Sequence, residues 1–195
     1  MPIEFKHVHF TYDTLDEPLY QDVQLTLDTK WKLGLIGRNG RGKTTLLKLL
    51  MEELPYTGVI FSDEPFVYFP FEIADRTMLT LYAIEAVMPL EQWRLERECQ
   101  LLGLDKAVLW IPFEQLSGGE QTKVMLAALF CDENRFPLLD EPTNHLDVKA
   151  RAIVARYLKK KSGFIVVSHD RNFIDEVVDH ILVIEKSKLA LYKGN

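Results

Sequence analysis

The chain has 195 residues, of which 47% are hydrophobic and 27% are charged, and its formal net charge is −6. The apolar fraction supports a buried core and argues against disorder, and the acidic balance argues against binding of naked DNA through bulk charge. No apolar run approaches the ~18 residues that span a bilayer, and the first ten residues lack the apolar stretch of a signal peptide. We therefore expect one cytoplasmic domain over residues 1–195, with no direct insertion into a membrane.

The order of apolar segments predicts an α/β fold with a mostly parallel sheet. Before the middle of the chain, five strands and one helix are predicted: an edge strand at Phe5–Tyr12, strands at Val23–Leu27, Leu33–Ile36, Gly58–Phe61 and Phe66–Phe69, and a helix at Lys43–Leu54. Later apolar runs predict two more strands and a closing hairpin, at Phe136–Leu139, Phe164–Val167, Ile181–Ile184 and Leu189–Tyr192.

Between these groups of strands the apolar spacing becomes helical. Helices are predicted at Met78–Met88 and Glu91–Leu102, separated by Pro89, and a third follows at Gln121–Phe130. These segments predict a small helical lobe at about residues 75–130, inserted into the α/β core. A basic helix is predicted at Arg151–Lys161, with its lysine-rich end in solvent. The three tryptophans are interpreted as packing residues, namely Trp31, Trp93 and Trp110.

A glycine-rich turn lies between a predicted strand and a predicted helix and fits the pattern G-x-x-x-x-G-K-[S/T]. Its residues are Gly37, Arg38, Asn39, Gly40, Arg41, Gly42, Lys43 and Thr44. Glycines allow backbone N–H groups to converge on phosphate oxygens, and the helix that starts here directs its positive end at the anion. Lys43 is expected to reach the β and γ phosphates of a nucleotide, and the Thr44 hydroxyl is expected to bind Mg²⁺.

Two carboxylates, Asp140 and Glu141, end a later apolar strand. Ligands bind at the carboxyl ends of strands in α/β sheets, so these groups are expected to lie near the phosphate loop. Asp140 would hold Mg²⁺ or its water shell, and Glu141 would orient and deprotonate an attacking water. The alternative is that the two acids simply cap the next helix.

A second helix start has the features of an anion site. Ser117 is expected to be the N-cap of the helix at Gln121–Phe130, and Glu120 completes a capping box. Between them Gly118 and Gly119 leave backbone amides open at the positive end of that helix. One nucleotide would not need both this site and the phosphate loop of the same chain.

These motifs, in this order, resemble those of the ATP-binding cassette (ABC) family over nearly the whole chain. The matching segments are residues 37–45 for Walker A, 116–121 for the signature with Glu120 in place of the commoner glutamine, 138–141 for Walker B, 144–147 for the D-loop and 168–170 for the switch histidine. The resemblance implies a P-loop NTPase core with an antiparallel β edge, and ATP and Mg²⁺ as cofactors.

The family's arrangement implies roles for several further residues. Tyr12 would stack on adenine, Thr45 would belong to the ATP site, and His169 would contact the γ-phosphate beside Glu141. ABC cassettes work as head-to-tail pairs, so the signature of this chain would complete a partner's site, and Asp147 would lie in the D-loop. That partner would be either a second half of the protein missing from this chain or a second copy of the chain.

One position departs from the family's pattern. The family usually places a glutamine that senses Mg²⁺ and the attacking water after the strand that ends near Tyr68, and the matching position here is Phe71. The resemblance therefore implies slow turnover.

The segments Glu120–Val124 and Glu141–Asp147 resemble the F subfamily (ABC-F) in particular. Its members are soluble proteins with two cassettes on one chain; many act on ribosomes, and some protect ribosomes from antibiotics. The end of this chain, at residues 191–195, resembles the end of a first cassette. Two alternatives remain open: the ATPase subunit of a membrane transporter, and a regulatory module that binds ATP without hydrolysing it.

Overall fold

The computed structural model describes residues 2–38, 40 and 42–194. Its strands are β1 (Pro2–Phe10), β2 (Tyr20–Asp28), β3 (Lys32–Ile36), β4 (Thr57–Ser62), β5 (Phe66–Phe69), β6 (Phe136–Asp140), β7 (Phe164–Val167), β8 (His180–Glu185) and β9 (Lys188–Lys193). Its α-helices are α1 (Lys43–Leu50), α2 (Thr80–Glu85), α3 (Gln92–Leu101), α4 (Gly118–Leu129), α5 (Val148–Lys159) and α6 (Arg171–Val177).

The strands form two sheets. One is an antiparallel sheet in the order β2-β1-β4, and the other has the order β5-β6-β7-β3-β8-β9. Within the larger sheet all neighbours are parallel except the final hairpin of β8 and β9. The predicted α/β class, with a mostly parallel sheet and antiparallel strands at its edge, is confirmed.

Two details of the predicted elements are wrong. The strand β1 lies in the centre of the antiparallel sheet rather than at an edge, because β2 and β4 pair with its two sides. The helix α1 ends at Leu50, before the predicted Leu54, and Glu52 just beyond it has a φ of 57°. Leu54 still packs against the hydrophobic core. The apolar pattern that predicted the helix therefore extends beyond the last helical residue.

The helical segments α2, α3 and α4 share one hydrophobic cluster with two short 3-10 turns, Lys106–Trp110 and Phe113–Gln115. The prediction that Trp93 and Trp110 are packing residues is wrong, since 55% of Trp93 and 46% of Trp110 are exposed. Trp31 is partly buried and stacks on His180, with ring centroids 4.1 Å apart.

A buried glutamate of α3 forms an ion pair with a lysine just beyond the end of α5, and the sequence did not predict this pair. Glu98 on α3 is almost fully buried, and its Oε2 lies 2.5 Å from the Lys161 Nζ. The Tyr157 hydroxyl donates to the same oxygen at 2.5 Å, and Arg97 lies 3.3 Å from Oε1. The prediction of a fully solvated lysine cluster at this helix end is therefore wrong for Lys161.

Replacing Gly163 with alanine is expected to destabilise the fold by about 3 kcal/mol, because the new side chain would collide with backbone. Gly163 has a φ of 74°, and a Cβ there would lie 2.1 Å from the carbonyl oxygen of Thr29. Gly103 is the matched control, since its φ is 72° and the nearest atom to its Cβ would be 3.7 Å away. Urea denaturation should show a loss of only about 1 kcal/mol for Gly103→Ala, and equal losses for the two variants would contradict the collision.

Candidate functional site

A cleft of about 390 Å³ opens where β3, β6 and β7 end. This is the edge of an α/β sheet at which ligands usually bind. The residues that line it come from four segments of the chain: Tyr12, Leu15, Leu19, Gly40, Gly42, Lys43, Thr44, Thr45, Asp140, Glu141, Val167 and His169. The structure thus brings most of the predicted ATP-site residues together around one opening.

The phosphate loop enters α1 through Gly42, whose φ of 97° favours glycine. A Cβ at this position would also lie 2.8 Å from the Leu19 side chain. The buried Tyr20 hydroxyl donates a 2.7 Å hydrogen bond to the Gly42 carbonyl and so holds the turn in place. Among the described residues no side-chain hydrogen bond caps α1, and the first residues of this helix, Lys43, Thr44 and Thr45, line the cleft at its positive end.

Lys43 folds back over the loop that precedes it. Its Nζ donates to the carbonyl oxygens of Gly37 at 2.7 Å and Arg38 at 3.3 Å. These bonds hold the ammonium group against the loop, and Lys43 also lines the cleft. The predicted residues Asn39 and Arg41 lie outside the described residues.

One side of the cleft is aromatic and apolar. The Tyr12 hydroxyl shares a 2.8 Å hydrogen bond with the Thr45 hydroxyl, and its ring meets Phe10 edge-on. Leu15 and Leu19 line the cleft beside it. The sequence analysis did not predict the two leucines, because isolated leucines in a polar loop carry no motif. Together with Tyr12 they form a surface suited to a planar base.

Asp140 accepts two hydrogen bonds on one oxygen. The Thr44 hydroxyl donates to Oδ2 at 3.0 Å and the Tyr68 hydroxyl donates to it at 2.6 Å. Partial burial, and then the hydrogen bond to the carboxylate, raise the pKa of Tyr68, so the hydroxyl remains protonated at neutral pH. Tyr68 was not predicted as a site residue.

The oxygen donors of Thr44 and Asp140 suit Mg²⁺. Among residues 2–38, 40 and 42–194, no group of three or more His, Cys, Asp or Glu side chains is arranged to hold a metal. Mg²⁺ commonly uses only one or two carboxylates, together with water and substrate phosphates. A hydroxyl and one carboxylate beside an anion-binding loop therefore fit this ion.

Glu141 lies next to His169 in an unusual backbone conformation. Its φ is 51°, and its N–H donates to the Val167 carbonyl at 2.8 Å. The His169 N–H donates to Oε2 at 3.2 Å, and the His169 Nε2 lies 3.1 Å from Oε1. Oε1 is buried, and no described residue gives it a well-directed hydrogen bond. Burial raises the pKa of the Glu141 carboxyl, and His169 partly offsets this effect.

The signature forms the predicted capping box at the start of α4. The Ser117 hydroxyl accepts from the Glu120 N–H at 3.2 Å, and the Glu120 carboxylate accepts from the Ser117 N–H at 2.8 Å. A Cβ at Gly118 would meet nothing within 4 Å, and one at Gly119 would meet only Leu146 at 3.7 Å. Packing within the chain therefore does not require either glycine. Ser117, Gly118 and Gly119 are not among the described residues that line the cleft.

The D-loop and the switch region are joined by a residue that no motif identified. Arg151 donates to the Leu146 carbonyl at 3.2 Å and pairs with Asp170 at 3.0 Å. Asp147 is the N-cap of α5 and accepts from the Ala150 N–H at 2.7 Å. The segment 144–147 is thus fixed both to its own helix and to the segment that contains His169.

Phe71 packs against the larger hydrophobic cluster, which contains residues of α2, α3 and α4. It is not among the described residues that line the cleft, and Glu72 beside it is exposed. The segment after β5 therefore brings no polar side chain into the cleft from the position that resembles the sensor glutamine.

Comparison with known proteins identifies a family for these features. A family model described as ABC transporter matches residues 20–144. The ribosome protection protein VmlR of Bacillus subtilis is 34% identical over 95% of this chain, which covers 32% of that protein. Protein GCN20 of Saccharomyces cerevisiae is 33% identical over 98% of the chain, and ABC transporter F family member 5 of Arabidopsis thaliana is 31% identical over 99%; the chain covers 26% and 29% of these proteins.

Solved structures show the same fold. The dimeric bacterial ABC transporter cassette MJ0796 superposes with a TM-score of 0.82 at 20% identity, and each chain covers 99% of the other. The chain spans between about a quarter and a third of the length of the three relatives named above. Within the described residues, no helix is both long enough and apolar enough to cross a membrane.

Proposed function

Since the chain belongs to the ABC transporter family, we propose that it is an ATPase cassette, which binds Mg-ATP and hydrolyses it when paired head to tail with a second cassette. The cleft at the sheet edge supports the first part of this proposal. Tyr12 and the two leucines beside it would hold the adenine, and Lys43 would exchange its bonds to loop carbonyls for bonds to the β and γ phosphates. Gly37–Thr45 would surround the phosphates.

Mg²⁺ would be held by Thr44 and Asp140, and when bound it would neutralise charge that develops on the phosphates. Glu141 would accept a proton from the attacking water. Burial raises the pKa of the Glu141 carboxyl, which makes its carboxylate a stronger base than that of an exposed glutamate. His169, whose side chain is 61% exposed, would contact the γ-phosphate from the rim of the cleft.

The observation that carries the pairing is the exposed signature. Two glycines that packing does not require stand at the open positive end of α4, away from the cleft. A partner's γ-phosphate would approach closely here, where side chains would obstruct it. Ser117, Gly118, Gly119 and Glu120 would then complete the partner's site, and Asp147 would lie at the same interface. MJ0796, which shares the fold, is a dimeric cassette.

We further propose that the pair acts on ribosomes in the cytoplasm. This follows from the resemblance of Glu120–Val124 and Glu141–Asp147 to the F subfamily, and from the similarity to a ribosome protection protein. Protection from an antibiotic is one form that such action would take. This proposal is tested by sedimenting the full-length Glu141→Gln variant with ribosomes in the presence of ATP.

A transporter subunit is the second candidate. Met78, Tyr82, Trp110 and Ile111 are exposed apolar residues of the helical lobe, a feature that suits docking to another protein. Purification with membranes rather than ribosomes would favour it. A regulatory module that does not hydrolyse ATP is the third candidate, and Phe71 favours it. Bound ATP with no product above background in a single-turnover assay would support that module.

The pairing is tested by the mass of a Glu141→Gln variant in solution, measured by light scattering after gel filtration. With saturating Mg-ATP, a shift from monomer to dimer would show that two copies complete each other's sites. A monomer that still binds ATP would show that the partner is a different cassette. A variant that binds no ATP in either state would contradict the proposal.

Phe71→Gln is expected to raise the rate of hydrolysis severalfold in a paired protein, because it restores a polar group where the family senses Mg²⁺ and water. Loss of the phenyl ring from the lobe cluster should also lower stability by about 1–3 kcal/mol. Steady-state phosphate release, measured beside Phe71→Leu as a control for packing, checks the expectation. An unchanged rate in Phe71→Gln would show that Phe71 does not limit turnover.

A further inference from the structure

Tyr68 links two adjacent parallel strands at the edge where the cleft opens. β5 and β6 pair in register, with Tyr68 opposite Leu138, and Asp140 follows two residues later. The tyrosine ring packs against the smaller hydrophobic cluster, so its position is fixed by the core. Its hydroxyl reaches beyond the end of its own strand and donates a 2.6 Å hydrogen bond to Asp140 Oδ2.

The same oxygen accepts from Thr44, which would be a ligand of Mg²⁺. Two donors on two different elements therefore determine where this carboxylate points. Thr44 sits on α1 and must direct a lone pair at the ion, whereas Tyr68 is not in the group that lines the cleft. The tyrosine can thus hold Asp140 in place without competing for the ion. A hydrogen bond to an ionised acceptor at this length is a strong one.

The segment that carries Tyr68 leads directly to Phe71, which packs against the core of the lobe. Tyr68 is the residue through which β5 makes polar contact with the metal-binding edge in this structure. We propose that Tyr68 is a positioning residue for the divalent cation: its hydroxyl fixes the Asp140 carboxylate in the orientation that receives Mg²⁺ with ATP. This inference rests on the proposed function of the cleft as a Mg-ATP site.

The test uses the Tyr68→Phe variant of this chain and measures ATP binding by calorimetry across a range of Mg²⁺ concentrations. The phenyl ring keeps the packing, and only the hydrogen bond is lost. We expect the Mg²⁺ concentration that gives half of the full effect on ATP binding to rise about tenfold, a loss typical of groups that orient metal ligands. ATP affinity without Mg²⁺ should stay within about twofold, because the phosphate loop and adenine surface are intact.

Tyr82→Phe is the matched control, because that hydroxyl belongs to a side chain that is 45% exposed and remote from the cleft residues. It should leave the Mg²⁺ dependence unchanged. Tyr68→Phe is also tested in an Asp140→Asn background, where the positioning role predicts no further shift. A tenfold shift in that background would show that Tyr68 acts through general stability, and it would overturn the inference.

An unchanged Mg²⁺ dependence in Tyr68→Phe would also overturn it. A failure of the proposed function looks different, since the unmodified chain would then show no Mg²⁺-dependent binding of ATP. That result would remove both proposals together. Thermal denaturation of each variant is also measured without nucleotide. The inference requires that the rise in the Mg²⁺ concentration for half effect is larger than the variant's change in stability would cause.

Discussion

Glu141→Gln is expected to lower the rate of ATP hydrolysis in a paired protein by about 10² to 10⁴-fold, because it removes the carboxylate that we propose as the general base. Glutamine keeps the size of the side chain and a hydrogen-bond acceptor for the His169 N–H. ATP should therefore remain bound with little change in affinity. Single-turnover phosphate release and equilibrium binding of ATP together check both halves of the expectation.

Glu176→Gln on α6 is the control. It makes the same substitution at an exposed glutamate that does not line the cleft. A pH profile gives a second check. Since burial raises the pKa of Glu141, the rate should begin to fall on acidification at a higher pH than for an ordinary glutamate. A Glu141→Gln protein that hydrolyses ATP as fast as the unmodified one would exclude Glu141 as the base.

Lys161→Met is expected to lower the free energy of unfolding by about 2–3 kcal/mol at neutral pH, because it leaves the Glu98 carboxylate buried without its strongest partner. Only 2% of the Glu98 side chain is exposed, against 21% of Lys161. Methionine keeps most of the aliphatic stem, so the loss reports the charge. Tyr157 and Arg97 still contact the carboxylate, which limits the cost. Urea denaturation measures it.

The loss should shrink in acid. Burial alone would raise the pKa of Glu98, but hydrogen bonds from Lys161 and Tyr157 outweigh it and hold the pKa below its usual value. A lowered pKa in the folded state contributes stability above the pKa of the unfolded chain, and that contribution disappears as the pH falls through the folded value. Lys160→Met, at an exposed neighbour, should cost little. A loss that is independent of pH would show that packing, not charge, was removed.

The sequence predicted the elements well where one periodic pattern covered one element. It failed where the outcome depended on a partner far along the chain. A strand's pattern does not reveal how many neighbours it has, so β1 was assigned to an edge although β2 and β4 flank it. Lys161 looked like part of a solvated cluster, because its partner Glu98 lies 63 residues away.

In the candidate site, too, the sequence predicted residues that belong to local motifs and missed residues that act between distant segments. Short motifs gave Lys43, Thr44, Asp140 and Glu141, because chemistry that needs a fixed spacing leaves a pattern in one segment. Tyr68 acts across a pair of strands and Arg151 across two loops, and nothing in their local sequence marks them. Two apolar runs end at Phe69 and Asp140. A prediction that these runs pair as parallel strands would have placed Tyr68 near Asp140.

The backbone conformation of Glu141, in the cleft, lowers the stability of the fold. A residue with a side chain at a φ of 51° is disfavoured by about 1 kcal/mol or more. Glycine would adopt this conformation without strain, yet glycine has no carboxylate. Stability and chemistry thus demand different residues at one position. Selection for a more heat-resistant chain would favour replacement of the group that we propose as the general base, and only selection for activity would preserve it.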